Sequence, residues 1–279
     1  MFIEILKAIL FGIVEGITEW LPVSSTGHII LLNEFLTLNV SEEFQEMFDV
    51  VIQLGAIFAV LVLFFHKLNP FSPQKDARQK QDTWILWGKV IVAVLPSAVL
   101  GLLFDDWFDA HFYNFLVVAV ALIVYGFAFI WVEKQNEGKK PAMRKVHQID
   151  WRTALFIGAF QCLALIPGTS RSGSTILGAI LLGVSRSAAS EFSFFLAIPT
   201  MLGASALKAV KFFIDGNTMG GTEFAVLFVG MVVSFLVSMF VIKALMNYVR
   251  KHSFSLFGVY RIVLGAVCLV YALIQAIVA

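Results

Sequence analysis

Two short polar runs interrupt a chain that is otherwise strongly apolar. The first is Glu15-Gly16-Ile17-Thr18-Glu19-Trp20-Leu21-Pro22-Val23-Ser24-Ser25-Thr26-Gly27-His28. The second is Pro167-Gly168-Thr169-Ser170-Arg171-Ser172-Gly173-Ser174-Thr175. Glu15 and Glu19 stand one helical turn apart, on one face, among Phe11, Val14 and Ile17. Two carboxylates so placed repel unless they share a proton or a divalent cation, or face Arg or Lys. Ser24, Ser25, Thr26 and His28 follow at once, and a Ser or His nucleophile needs a nearby base and an orienting acid. In the second run, glycines allow close backbone approach, hydroxyls donate, and the Arg171 guanidinium forks onto phosphate oxygens. A helix beginning near Ser174 would turn its positive end toward the same anion. The competing readings are solvated carboxylates at a helix end, a satisfied interfacial histidine, and an arginine paired to a core glutamate.

These runs must be positioned by membrane elements. Of 279 residues, 59% are hydrophobic and 14% charged, where a soluble domain has about 45–50% and about 25%. A membrane helix needs roughly 20 apolar residues, and 48–65, 84–104, 112–132, 192–214, 223–246 and 254–277 meet that length. The runs are continuous rather than alternating, which disfavours a β-barrel. Regions 1–32 and 153–190 are also hydrophobic, but Pro, Gly and hydroxyl residues interrupt them. A net charge of +1 makes no case for nucleic acid, and Cys162 and Cys268, both inside apolar runs, read as packing residues. The 28 phenylalanines read as lipid-facing bulk. Trp84, Trp87, Trp107, Trp131 and Trp151 lie at segment ends as an interfacial belt. Lys89 and Arg261 read as having no functional part. The N-terminal run lacks the features of a cleaved signal peptide.

Loop charge orients the segments, because cytoplasmic loops accumulate Lys and Arg. The gap 66–83 carries Lys67, Lys75, Arg78 and Lys80, and the gap 133–152 carries Lys134, Lys139, Lys140, Arg144, Lys145 and Arg152. The gaps 33–47 and 105–111 (Asp105, Asp106, Asp109) hold no Lys or Arg and belong outside. Threading then requires 153–190 to enter and return on the inner side and 1–32 to dip in from the outer side. The expected fold is an all-α polytopic membrane protein of six transmembrane helices and two re-entrant hairpins, forming one domain over 1–279.

The halves, about 1–132 and 153–279, resemble each other. Gly12 and Gly158, like Tyr125 and Tyr271, are 146 residues apart, and Leu54-Gly55-Ala56 matches Leu202-Gly203-Ala204. Pro22 pairs with Pro167, a hydroxyl-rich turn following each. A hairpin plus three crossings, repeated, gives inverted topology, an architecture of many transporters. Irregular backbone at membrane depth is tolerated only where protein or water surrounds it, so the two hairpins should face each other across a polar cavity. Gln161 takes the place of Glu15 and an apolar residue that of Glu19, so one half should do chemistry while the other holds substrate.

The two polar runs resemble the two signatures of the undecaprenyl pyrophosphate phosphatase (bacitracin resistance protein) family of bacteria, and the likeness extends over essentially the whole chain. The resemblance implies a phosphatase that converts undecaprenyl pyrophosphate to the monophosphate carrier and inorganic phosphate, recycling it for peptidoglycan synthesis and conferring bacitracin resistance. It implies an isoprenyl pyrophosphate substrate, a divalent cation (Mg²⁺ or Ca²⁺), the bacterial cell membrane, and a site open to the outer face. Carried over by motif position, Ser25 is the candidate nucleophile and His28 the candidate acid/base, with the choice of attacking group open between them. Glu19 would orient or activate them, or bind metal with Glu15. Arg171 would grip the pyrophosphate, with Ser170, Ser172 and Thr175 lining the pocket and Ser24 and Thr26 contacting substrate beside Ser25. The rival reading is a transporter or flippase of a phosphorylated lipid or another anion. A homodimer is left open.

Overall fold

The computed structural model describes residues 1–112 and 114–278. The side chains of Asp105, Asp106 and Asp109 lie outside that description, as do those of Ala276 and Val278. The acid-rich outer gap drawn from those aspartates therefore falls outside the described side chains. Twelve α-helices follow in order among the described residues: α1 (Phe2–Thr18), α2 (Ser25–Phe35), α3 (Glu42–Val51), α4 (Gln53–Leu63), α5 (Phe65–Leu68), α6 (Ala77–Phe112), α7 (Phe115–Gln135), α8 (Trp151–Gln161), α9 (Arg171–Leu181), α10 (Arg186–Ile214), α11 (Gly221–Tyr248) and α12 (Ser255–Val278).

Among the described residues six stretches are long and apolar enough to cross a membrane: Glu42–Leu63, Ala77–Phe104, Phe115–Gln135, Arg186–Ile214, Gly221–Tyr248 and Ser255–Gln275. The chain is a multi-pass helical membrane protein, as hydropathy indicates. The helices run beyond the apolar limits read from sequence, because capping residues rather than hydropathy set their starts. Ser41 accepts from the Phe44 N–H at 3.2 Å and Asp150 from the Thr153 N–H at 2.7 Å, satisfying donors that a first turn leaves bare. At Asp150 those same bonds hold the carboxyl below its ordinary range.

Apolar side chains face outward as well as inward: Leu102, Phe240 and Ile277 are largely exposed, which fits a hydrocarbon surround. The phenylalanines divide between the two environments. Phe192, Phe194 and Phe195 are fully buried in the core with Trp20, Ala56 and Ile176, correcting their reading as lipid-facing bulk.

The close approaches cross between the halves. Helix α1 packs along α11, α8 along α6, and α7 along α12. A Cβ at Gly12 would lie 2.6 Å from the Gly230 carbonyl oxygen, and one at Gly158 only 2.1 Å from that of Ala93. Each glycine lets two helix backbones touch, as small residues do in membrane interfaces. Proline interrupts α6 at Pro96 and α10 at Pro199, each removing a helical hydrogen bond. The hydroxyls that follow, Ser97 and Thr200, both accept from the Gln161 amide, at 2.6 and 3.4 Å.

Candidate active site

The turns Glu19–Ser24 and Cys162–Ser170 meet in the protein interior. Each turn ends on a serine with φ 75°, Ser24 before α2 and Ser170 before α9. Left-handed backbone is costly for a residue with a Cβ and persists where surroundings over-determine it. Here each serine also caps the helix it opens: Ser24 Oγ accepts from the Gly27 N–H at 3.1 Å and Ser170 Oγ from the Gly173 N–H at 3.0 Å. Helices α2 and α9 thus aim their N-termini at one cavity of about 720 Å³, whose wall includes Glu19, Ser24, Ser25, Thr26, Ser170 and Arg171. Gln53 and the stretch from Pro199 to Val210 complete a mostly apolar side of that cavity.

Glu19 joins the two turns. Its Oε2 accepts from Ser25 Oγ at 2.5 Å, and its Oε1 accepts from Arg171 Nη2 at 2.6 Å. Arg171 Nη1 donates to the Ser193 carbonyl at 2.8 Å, and the guanidinium lies 5.9 Å from the Trp20 ring centroid. Arg171 Nε, buried, has no hydrogen-bond partner among the described residues. A carboxylate bonded to a serine hydroxyl can receive its proton. An arginine with a free donor and a hydroxyl at two helix N-termini can hold the oxygens of an anion.

The remaining residues singled out in the sequence divide into three groups. Ser24, Thr26 and Ser170 line the cavity. Ser172 and Thr175 are buried braces: Ser172 Oγ donates to the Glu19 carbonyl at 2.9 Å, and Thr175 Oγ1 pairs with Ser193 Oγ at 2.7 Å. His28 is turned elsewhere, with Nδ1 donating to the Ser24 carbonyl at 2.6 Å and Nε2 held by the Tyr260 hydroxyl at 2.7 Å. Both ring nitrogens are thereby engaged outside the Glu19–Ser25–Arg171 cluster.

Both carboxylate oxygens of Glu15 are buried without a hydrogen-bond partner among the described residues, one turn from Glu19. Among the described residues no three His, Cys, Asp or Glu side chains group into a metal cage. The buried Glu15 carboxylate, one turn from Glu19, has the chemistry of a ligand for a hard cation of the Mg²⁺ kind.

Sequence reading passed over Arg261. It is fully buried and donates to carbonyls of both turns: Pro22 at 3.0 Å, Gly168 at 2.7 Å and Thr169 at 3.1 Å. No carboxylate pairs with it among the described residues. Its position within an apolar run was the available signal, since a charge at membrane depth marks function or structure by default. Ser193 and Gln53 carried no such signal, being ordinary polar residues inside apolar helices.

Fold and site together define a multi-pass membrane protein with a cavity where two helices are interrupted, holding a hydroxyl bonded to a carboxylate with an arginine beside them. The chain belongs to the family described as Bacitracin resistance protein BacA, which matches residues 8–267. It is 59% identical over 271 residues to the undecaprenyl-diphosphatase of Enterococcus faecalis, covering 97% of this chain and 98% of that one. It is likewise 59% identical to the undecaprenyl-diphosphatase of Streptococcus thermophilus, over 99% of this chain and 96% of that one. With the protein of the same name from Streptococcus pyogenes it shares 56%, over 98% of each chain.

Proposed function

We propose that this protein is an undecaprenyl-diphosphate phosphatase of the bacterial plasma membrane, releasing inorganic phosphate and the monophosphate lipid. The observation that carries the reading is Glu19, bonded at once to the Ser25 hydroxyl and to Arg171 inside the shared cavity. Ser25 is the nucleophile. Its oxygen forms a bond to the terminal phosphorus while the bridging P–O bond breaks, and its proton passes to Glu19. Lipid monophosphate departs as Glu19 passes that proton to the leaving oxygen. Water then gives a proton to Glu19 as its oxygen bonds to phosphorus, the Ser25 O–P bond breaks to release inorganic phosphate, and Glu19 returns the proton to the Ser25 oxygen. Arg171 and the N–H groups opening α2 and α9 hold the oxygens on which charge develops, since phosphoryl transfer is mostly positioning and charge stabilisation. Glu15, with Glu19 beside it, would hold Mg²⁺ or Ca²⁺, which when bound neutralises phosphate charge.

The apolar side of the cavity along Pro199–Val210 suits an isoprenyl chain, while the headgroup reaches the turns. Two re-entrant hairpins entering from opposite faces, each followed by three crossings, account for the crossed packing of α1 on α11 and α8 on α6. They also account for the matched strained serines. The basic segment 133–152 then lies inside and the site opens to the outer face.

The test is inorganic phosphate release by purified protein from undecaprenyl or farnesyl diphosphate, with Mg²⁺, with Ca²⁺ and with EDTA. Metal-dependent release, abolished in Ser25→Ala, is the expected result. Wild-type protein that is folded and releases none refutes the reading, and lipid movement between liposome leaflets without hydrolysis would replace it with a carrier.

A further inference from the structure

A second cavity, of about 410 Å³, opens at the other end of α9, beside the turn that joins α9 to α10. Its wall includes Lys139, Lys140, Arg186 and Arg250, with Glu133 as its one carboxylate. That carboxylate is already engaged: it is buried, accepts from Arg186 Nε at 2.9 Å and Nη2 at 2.5 Å, and accepts from the Phe254 N–H at 2.9 Å. Lys139, Lys140 and Arg250 form no ion pair with any described residue. The wall is also braced, because the Ala142 N–H donates to the Gly183 carbonyl at 2.9 Å and the Ser185 N–H to that of Met143 at 2.8 Å. A concave site with three uncompensated cations on a fixed wall matches a phosphate-bearing anion.

We propose that this cavity binds the phosphate of an anionic ligand, on the face opposite the catalytic opening. The site lies where helix ends gather on the basic side of the protein, which in the orientation proposed above is cytoplasmic. Basic pockets between membrane helices at that level take lipid headgroups, and a soluble phosphate carries the same recognising group. The proposal does not depend on phosphatase activity, since it concerns binding to residues outside the Glu19–Ser25–Arg171 cluster.

The experiment is native mass spectrometry of the detergent-purified protein, offered phosphatidylglycerol, phosphatidylcholine or inorganic phosphate. It compares wild type with the triple variant Lys139→Gln/Lys140→Gln/Arg250→Gln and with Lys139→Arg/Lys140→Arg. The expected result is selective retention of phosphatidylglycerol, reduced about tenfold or more in the triple variant and kept in the arginine variant. The triple variant should melt in detergent at the wild-type temperature, showing that it folds whether or not the protein releases phosphate. Retention that inorganic phosphate displaces would support the soluble source instead of the lipid. Equal retention of phosphatidylglycerol by wild type and a folded triple variant, with no phosphate bound, would overturn the proposal. So would a triple variant that fails to fold while the arginine variant retains no more anion than phosphatidylcholine.

Discussion

Glu19 and Arg171, 152 residues apart in the chain, meet at 2.6 Å with both side chains nearly buried. The pair ties the turn after α1 to the start of α9, and it also fixes the carboxylate that accepts from Ser25. These two roles separate on mutation. Arg171→Ala leaves a buried carboxylate without its cation, which costs about 3–5 kcal/mol. Adding Glu19→Gln removes that stranded charge, so the double variant should recover much of the lost thermal stability in detergent. It should recover none of the phosphate release, because the acceptor for the Ser25 proton is gone. Recovery of both would reduce the pair to scaffolding.

Ser25 and His28 are predicted to differ in how much they matter. Ser25 bonds Glu19 in the cavity, whereas His28 spends its nitrogens on the Ser24 carbonyl and Tyr260. Ser25→Ala should abolish turnover. His28→Ala removes one support of the strained Ser24 turn, and a lost hydrogen bond of about 1–3 kcal/mol corresponds to roughly tenfold to a hundredfold in rate. Phosphate release from matched amounts of folded variants decides it, and a His28→Ala loss equal to that of Ser25→Ala would give the imidazole a direct part.

Much of this was legible from sequence because membrane burial makes polarity expensive. Glu15, Glu19, Ser25 and Arg171 stood out as polar groups in apolar context, and the six crossings followed from run length alone. What sequence could not supply was direction. Ser172 and Thr175 share a motif with Arg171, yet on α9 they turn into the packed interior and bond to backbone and Ser193. His28 shares α2 with Ser25, yet three residues of helix carry its ring to α12. Arg261 was invisible as a partner of either run, because its acceptors are main-chain carbonyls, which every residue possesses.

Arg261 is predicted to be the least replaceable residue outside the cavity. Substituting Met leaves the carbonyls of Pro22, Gly168 and Thr169 buried without their donor, at a cost of more than about 2 kcal/mol. Lys, with one compact ammonium, cannot reach all three as the planar fork does. Both variants should show a lower melting temperature and reduced phosphate release, with Lys intermediate. An Arg261→Met protein as stable and active as wild type would mean that the turns hold themselves.

Glu15 is predicted to set the cation requirement. Its two oxygens are buried and unpartnered, and Gln in its place keeps the shape while removing the charge that favours a hard cation. Glu15→Gln should need a higher Mg²⁺ concentration for half-maximal phosphate release, with thermal stability in EDTA at or above that of wild type, because a costly buried charge is gone. An unchanged Mg²⁺ dependence in a folded variant would place the cation elsewhere.

The close helix contacts supply a test that bears on fold alone. A Cβ at Gly158 would sit 2.1 Å from the Ala93 carbonyl oxygen, whereas one at Gly203 would meet nothing within 4 Å. Overpacking of this kind costs about 1–3 kcal/mol as backbones separate. Gly158→Ala should therefore lower the melting temperature in detergent, and Gly203→Ala should leave it unchanged. Because α8 leads into the turn that ends in Ser170, just before Arg171, the first variant should also lose phosphate release, even though Gly158 lines no part of the cavity. If Gly158→Ala kept full stability, α6 and α8 would have to be further apart than their backbones stand here, and the crossed packing of the two halves would need redrawing.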